Sequence, residues 1–401
     1  MRVLAIADGF SVANEPFMVA TVMALVERGH QVCVVGSEPG WRLEPGDRRR
    51  VGRAVRLFPR GTPGLRGRLR GAWLLQRARL RDGERLSRML AAVRRQHGPG
   101  ATLRMGPRLA PLICEDFDVV HFMAANDVAL YAAVIDMIPQ PTIVSCTGSD
   151  VRVLPLANRW FRRSLPVVLG KANRVLCVSR ELSAWAHRVG APEERTEVLH
   201  HGVDTAFFSP SGTRRRSAGG PLRLVSVARL NWIKGHDYAV QAVALLRDRG
   251  VDVRFTIAGQ DEGALEPVEY AISQLRLDDV HVRGQLSAED VRGVLAGSDV
   301  FVLASVSEGI CMAAVEAMAM GLPVVTTDVG GMRELIDDGV HGFVVPPRQP
   351  EALADAIAKL AADPELRAAM GRAGMERARE HFDVTRFVDR LEEIYLEVTK
   401  A

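Results

Sequence analysis

Two glutamates, Glu308 and Glu316, are separated by the seven residues 309–315. The short apolar run before them, residues 301–304, predicts a buried parallel strand. The Ala/Met-rich segment 312–320 contains no β-branched run and predicts a helix with a glycine at its end. A strand, a glycine turn and a helix N-terminus present free backbone N–H groups and a positive dipole end to an anion. Carboxylates beside such an anion site are suited to binding hydroxyl groups, which sugars and riboses carry.

A second pair of charged residues, Arg229 and Lys234, follows the predicted strand 222–228 and spans five positions of the loop after it. Lysine is rare in this chain, with only four in the sequence. A lysine and an arginine together at the carboxyl end of a strand are suited to clamping a diphosphate. Taken alone, two solvated surface charges explain the pair equally well.

The first half of the chain offers His121 and Thr147 as candidates. Each follows a predicted buried strand, at the end where open α/β sheets bind ligands. A lone histidine there is more often packed than catalytic, and a threonine hydroxyl can hydrogen-bond a sugar but cannot act as a base near pH 7. Asp116 and Asp118 form a D-x-D pattern, but it leads directly into the strand and is interpreted as a strand entry, so no metal is expected.

Composition is ordinary for a soluble globular protein, with 47% hydrophobic and 25% charged residues among 401. This length suits two domains. No apolar run reaches the ~18 residues of a membrane-spanning helix. Five scattered cysteines predict reduced thiols, and the early first strand argues against a signal peptide. A cytoplasmic location is expected, with the inner face of the cell membrane as an alternative.

The charge is unevenly distributed. Residues 42–108 hold 19 arginines, no lysine and four acids, for a net charge of +15, whereas the remainder has 33 basic and 44 acidic residues, for −11. A segment of that charge suggests contact with an anionic membrane surface or a phosphate-bearing acceptor. Solvated helix faces are the alternative. The turn residues 98–100 exclude one long amphipathic anchor, so a patch built from several pieces is expected.

Two series of alternating strands and helices predict an α/β protein with parallel sheets. The first begins with strands at 2–8 and 31–35 around a helix opened by Asn14. The second has strands near 222–228, 253–258, 280–283, 300–304, 323–327 and 342–345. No G-x-G-x-x-G follows the first strand, which disfavours a dinucleotide-binding enzyme.

Four motifs occur in order in the second half: Glu308-Gly309, Glu-Ala-Met-Ala from Glu316, Gly-Leu-Pro-Val-Val from Gly321 and Gly-Gly-Met-Arg-Glu from Gly330. Together they closely resemble the donor-site signature of the family 4 retaining glycosyltransferases. That resemblance implies the GT-B fold, with two Rossmann-like parallel-sheet domains facing each other across a cleft. The implied domains are an acceptor-binding domain (1–207), a linker (208–221) and a nucleotide-sugar-binding domain (222–383), with a helix (384–401) crossing back to the first.

The resemblance implies transfer of a sugar from a nucleoside diphosphate sugar with retention at the anomeric carbon, and no metal or other cofactor. Glu308 would hold sugar hydroxyls, Glu316 the ribose, and Arg229 and Lys234 the pyrophosphate. His121 and Thr147 complete the candidate catalytic set. The remaining candidates for the nucleotide sugar are Gly309, Ile310, Cys311, Met312 and Arg283.

The implied partners are a UDP- or GDP-sugar donor and a sugar- or lipid-linked acceptor, and no nucleic acid. The chain also departs from the family pattern: Thr147 stands where many relatives have a histidine, and Met123 where a second histidine often follows His121. Three alternatives to glycan assembly therefore stay open. They are a soluble natural-product acceptor, a catalytically silent nucleotide-sugar-binding relative, and an epimerase or phosphorylase of the same fold.

Overall fold

The computed structural model describes residues 1–7, 16–36, 55–59, 65–126, 128–210 and 220–400, with the backbone alone for residues 16, 55–59, 65–68, 104, 128 and 129. The chain divides into two compact units. Unit 1 comprises Met1–His200 with Val388–Ala401, and unit 2 comprises His201–Phe387. The predicted cap at Asn14, the arginines within 42–54 and most of the predicted linker (211–219) lie outside the described residues.

Unit 1 is built on a seven-stranded sheet in the order β3-β2-β1-β4-β5-β6-β7, in which all neighbours are parallel. Its strands are β1 (Arg2–Ile6), β2 (Gln31–Gly36), β3 (Val55–Pro59), β4 (Val119–Phe122), β5 (Thr142–Cys146), β6 (Arg174–Cys177) and β7 (Thr196–Val198). The central strands are almost wholly buried, as expected for continuous apolar runs in a parallel sheet.

Eight helices of unit 1 lie within the described residues. They are α1 (Pro16–Glu27), α2 (Leu65–His97), α3 (Pro99–Leu109), α4 (Pro111–Cys114), α5 (Ser149–Arg152), α6 (Leu154–Ala157), α7 (Arg159–Lys171) and α8 (Arg180–Arg188). Much of the arginine-rich segment lies in α2, which bends at Asp82, where φ is −155° and ψ is 79°. Gly98, with φ of +80°, separates α2 from α3, so this segment is indeed divided into pieces.

Unit 2 has a six-stranded parallel sheet in the order β10-β9-β8-β11-β12-β13. Its strands are β8 (Leu222–Val227), β9 (Val253–Ala258), β10 (Val280–Arg283), β11 (Val300–Leu303), β12 (Val324–Thr327) and β13 (Gly342–Val345). The helices are α9 (His236–Asp248), α10 (Leu265–Gln274), α11 (Ala288–Ala296), α12 (Met312–Ala319), α13 (Met332–Leu335), α14 (Pro350–Ala362) and α15 (Pro364–His381). All six predicted strands are confirmed.

The last helix, α16 (Val384–Lys400), leaves unit 2 and packs on unit 1, as predicted. Glu392 accepts a hydrogen bond of 2.6 Å from Arg28, and Arg390 binds Glu197 through two bonds of 2.7 and 2.8 Å. Tyr395 is buried against the sheet, within hydrogen-bond distance of His121. No described helix is both long enough and apolar enough to cross a membrane.

The burial of His121 makes the stability of the protein depend on pH. Burial lowers the pKa of its imidazole to about 3, so the folded protein keeps it neutral at pH values where the unfolded chain, with a pKa near 6.5, binds a proton. Stability from this group is therefore lost as pH falls below about 6.5. Between pH 7 and pH 5, the free energy of unfolding measured in urea should fall by about 2 kcal/mol less in the His121→Gln variant than in wild type.

The exposed His281 supplies the control, because a His281→Gln variant should follow the wild-type pH dependence. If the free energies of unfolding of wild type and of the His121→Gln variant changed equally with pH, the neutral, buried state of His121 would be contradicted.

Candidate active site

The loop after β11 carries the first predicted carboxylate. Glu308 is 7% exposed, and its Oε1 accepts a hydrogen bond of 2.7 Å from the Ser305 hydroxyl. Cys311 has extended backbone angles and begins α12 without a side-chain cap. Within the described part of the chain, the N–H groups of Met312 and Ala313 have no acceptor, whereas that of Ala314 donates to Cys311 O at 3.2 Å. Two free amides at a helix N-terminus form the predicted anion-binding geometry.

Lys234 and Glu308 lie together at the centre of this site. The Lys234 Nζ is 2.7 Å from Glu308 Oε1, and both side chains are largely buried. Burial alone would lower the pKa of Lys234, but the carboxylate of Glu308 outweighs it and the pKa is raised. The loops after β8 and β11 are also joined by the N–H of Val306, which donates to Ile233 O at 2.8 Å. Two residues 74 positions apart in sequence thus form one charged pair.

Glycines allow this close approach. Gly235 has φ of +60°, and a Cβ there would lie 2.1 Å from the Ala304 carbonyl oxygen. Gly330 has φ of +59°, and its Cβ would lie 2.0 Å from the carbonyl oxygen of Glu308. Next to it, the N–H of Gly331 donates to Gly309 O at 2.8 Å. Neighbouring loops therefore pack directly against the backbone around Glu308. They do so at glycines, where any side chain would clash.

The second predicted carboxylate, Glu316, lies in the second turn of α12. It is half-buried, and burial raises its pKa to about 8. Among the described residues its carboxyl group has no hydrogen-bond or ion-pair partner, so it is available to hydroxyl donors. Burial also raises the pKa of the Cys311 thiol to about 12. Cys311 therefore stays protonated, and it can contribute its backbone to an anion site but not a thiolate.

Arg229 lies in the same loop as Lys234 but has a different partner. Its Nη1 is 2.9 Å from Glu262 Oε1, and Asn231 donates to the other oxygen of Glu262 at 2.8 Å. The sequence alone gave no reason to single out Glu262, which follows β9. The last candidate, Arg283, is exposed at the end of the edge strand β10, separated from β11 by β9 and β8.

The two candidates of unit 1 are both held by intramolecular bonds. His121 is 3% exposed, and its ring nitrogens lie 2.8 Å from Tyr395 OH and 2.8 Å from Ser145 Oγ. With both nitrogens occupied, the geometry favours the packed role of His121 over a catalytic one. Thr147 remains half-exposed in the turn after β5.

Asp150 organises the turn that contains Thr147. Its carboxylate accepts hydrogen bonds from the N–H groups of Thr147, Gly148 and Val151, from the Thr147 hydroxyl and from the N–H of Ala125, at 2.7–3.2 Å. Burial raises the pKa of Asp150, against the opposing effect of these donors. Sequence reasoning missed this residue, because a Gly-Ser-Asp sequence is also typical of an ordinary turn.

The D-x-D pattern leads into β4, as interpreted. Asp116 is paired with Arg81, and Asp118 accepts the N–H of Arg2 at 2.7 Å. Both carboxylates thus have cationic or backbone partners within unit 1.

The backbone contact at Gly330 can be tested by an alanine substitution. A Gly330→Ala change adds a Cβ against Glu308, whereas Gly339, with φ of +79°, has open space around it. Alanine costs about 1–2 kcal/mol at either position because of the left-handed backbone. We expect Gly330→Ala to lower the melting temperature further than Gly339→Ala. Equal melting temperatures would mean that Gly330 does not brace the Glu308 loop.

Comparison with protein-family models gives two matches in tandem. The model described as "Glycosyl transferases group 1" matches residues 213–377. The model described as "Glycosyltransferase Family 4" matches residues 83–207. Together they cover most of unit 2 and more than half of unit 1.

Curated relatives are similar over different lengths. WcaL of Escherichia coli (strain K12), a glycosyltransferase whose name assigns it to colanic acid biosynthesis, is 26% identical over 87% of this chain and 88% of its own length. The alpha-D-kanosaminyltransferase of Streptomyces kanamyceticus is 35% identical over 62% of this chain and 65% of its own length. Alignments with several other relatives span about half of their length.

Solved structures show the same fold. HepE of Anabaena, crystallised in complex with UDP and glucose, superposes with a TM-score of 0.74 at 18% identity, over 98% of this chain and 99% of its own. Two doubly wound parallel sheets, the tandem family matches and this similarity agree with one another. The chain therefore belongs to the group 1, family 4 glycosyltransferases, which have the GT-B fold.

Proposed function

We propose that this glycosyltransferase takes its sugar from a nucleoside diphosphate sugar bound by unit 2, and transfers it with retention of the anomeric configuration. The observation that carries the proposal is the arrangement around Glu308. Lys234, in the loop after β8, pairs with the buried Glu308 in the loop before the uncapped N-terminus of α12. The carboxyl group of Glu316, which has no partner among the residues that the structure describes, lies one turn further on. A cation, free amides and two carboxyl groups match the phosphates, the sugar and the ribose of such a donor.

The leaving group of this reaction is a diphosphate, whose developing negative charge is the main species to stabilise. Lys234, Arg229 and the amides at the start of α12 would do this while the bond from the anomeric carbon to the diphosphate breaks. Glu308 would accept hydrogen bonds from sugar hydroxyls, and Glu316 from the ribose. These donors supply the positive charge themselves, so the proposal needs no divalent cation.

We further propose that the acceptor belongs to the assembly of a cell-surface polysaccharide, on the cytoplasmic side of the membrane. The similarity to WcaL over almost the whole chain supports this acceptor class. A soluble natural-product acceptor is the second candidate, supported by the similarity to the kanosaminyltransferase.

The first half of α2 has features suited to a membrane surface. Leu69, Trp73 and Leu80 are exposed by 61%, 58% and 79%, and their spacing of four and seven residues places them on one helix face. Arg70 and Arg79 are exposed on the same half of the helix. Arg77 and Arg81 pair with Glu115 and Asp116, so these two add less positive charge than the sequence suggested. The side chains of residues 66 and 68 lie outside the described set.

Removal of Glu316 or Lys234 tests the donor site. We expect each alanine variant to lose ~10²–10³-fold in kcat, as is typical when one transition-state donor or positioning group is removed. The two variants should differ in stability. Lys234→Ala removes the cationic partner of the buried Glu308 carboxylate and should be strongly destabilised. Glu316→Ala removes a carboxyl group whose pKa is raised by burial, and should be at least as stable as wild type.

The assay is release of nucleoside diphosphate from a panel of UDP- and GDP-sugars, with melting temperatures measured in parallel. Near-normal turnover in either variant would contradict the donor-site assignment. Donor binding by wild type without any turnover would support the catalytically silent alternative.

Flotation with anionic liposomes tests the membrane surface. We expect binding at low salt that falls sharply at moderate salt, because exposed charges are screened over ~8 Å at physiological ionic strength. Replacement of both Trp73 and Leu80 by serine should weaken it about tenfold or more, since the two exposed side chains would be buried in the lipid interface. Leu156→Ser, at another exposed leucine of unit 1, is the matched control. No flotation of wild type at low salt would favour the soluble acceptor.

A further inference from the structure

Unit 1 contains a cavity that none of the candidate site residues lines. Its volume is about 510 Å³, within the range of small-molecule sites. The described residues around it come from the end of α2, from α3, from the 3-10 turn Val128–Tyr131 and from the start of α7. They are Gln96, His97, Ala101, Met105, Arg108, Leu130 and Trp160.

The cavity lies at the carboxyl edge of the sheet. Leu130 follows the end of β4 by eight residues, and Trp160 begins the helix α7 that runs back to the start of β6. Ligands of open α/β sheets bind at this edge, outside the ends of the strands. The position therefore suits a substrate rather than a packing defect.

The polar groups of the cavity are mostly hydrogen-bond donors. The indole Nε1–H of Trp160 is buried and has no acceptor among the described residues. Arg108 contributes a guanidinium group, which can only donate and is always charged. None of the described lining residues is acidic. A free sugar would find few acceptors for its hydroxyl groups here, whereas an anionic oxygen would find a charge and a donor.

The rest of the wall is apolar. Ala101 and Met105 are 4% and 2% exposed, and Leu130 and the ring of Trp160 also line the cavity. The Trp160 ring is held edge-on against His97, with 5.1 Å between the ring centroids. Such a wall favours an apolar chain, and flexible Met105 can adapt to its shape.

We propose that this cavity binds an apolar chain that ends in a phosphate group, and that the acceptor is therefore a lipid-linked phosphate compound. The inference rests on the proposed function, because it names the acceptor class of that reaction. Arg108 and Trp160 hold the phosphate, and the wall formed by Ala101, Met105 and Leu130 holds the first part of the chain.

Calorimetric titration tests the proposal with three probes, each below its micelle concentration: dodecyl phosphate, dodecanol and inorganic phosphate. Dodecyl phosphate should bind wild type more tightly than either of the others. Arg108→Gln should weaken it about tenfold or more, the usual effect of losing a charge-assisted bond. Trp160→Phe removes the indole N–H and one of the two fused rings while keeping an aromatic wall, and should weaken it severalfold. Arg94→Gln, at an exposed arginine near the same end of α2, is the control and should change affinity less than twofold.

Equal binding of dodecanol would overturn the phosphate assignment, and equal binding of inorganic phosphate would overturn the chain. Absence of dodecyl phosphate binding, or affinities unchanged in both Arg108→Gln and Trp160→Phe, would overturn the proposal as a whole. UDP and GDP titrated into the same wild-type samples separate the two claims. Failure of both nucleotides to bind counts against the donor site, whereas failure of dodecyl phosphate alone counts against the cavity.

Discussion

The ion pair between Lys234 and Glu308 is the interaction on which the candidate site depends. Both charges are largely removed from water, which is tolerable only when each has a partner at short range. Ser305 supplies a further hydrogen bond to the same carboxylate oxygen. A diphosphate arriving at the start of α12 would offer Lys234 a second anion, and sugar hydroxyls would offer Glu308 new donors. Without ligand, each charge of the pair thus has a partner. A bound donor can take the place of that partner.

Asp150 and His121 of unit 1 follow the same principle, but their partners all belong to the protein itself. Asp150 has its charge surrounded by backbone N–H groups, which fix the turn carrying Thr147 next to the loop after β4. His121 is satisfied by Tyr395 and Ser145, so it joins α16 to the sheet. A threonine held in a rigid turn can position an acceptor through its exposed side, but no general base is evident among these residues. This fits a reaction in which stabilising the leaving diphosphate supplies most of the catalysis.

Much of this arrangement could be predicted from sequence. The apolar runs located all six strands of unit 2, and the Ala/Met-rich segment located α12, because buried strands and good helix formers have local signals. The partners of the charged residues had no such signal. Glu262 lies 33 positions from Arg229, and Tyr395 lies 274 positions from His121. Only the fold brings them together, which is why His121 was open to a catalytic interpretation and why Arg77 and Arg81 were counted as surface charge.

A crystal structure with a nucleoside diphosphate, grown in the presence of a chelator, would test the donor site most directly. We predict that the diphosphate lies within hydrogen-bond distance of Lys234 and of the first amides of α12, with a ribose hydroxyl on Glu316 and no metal ion between the phosphates and the protein. A diphosphate bound elsewhere, or one that is seen only when a divalent cation is restored, would contradict it.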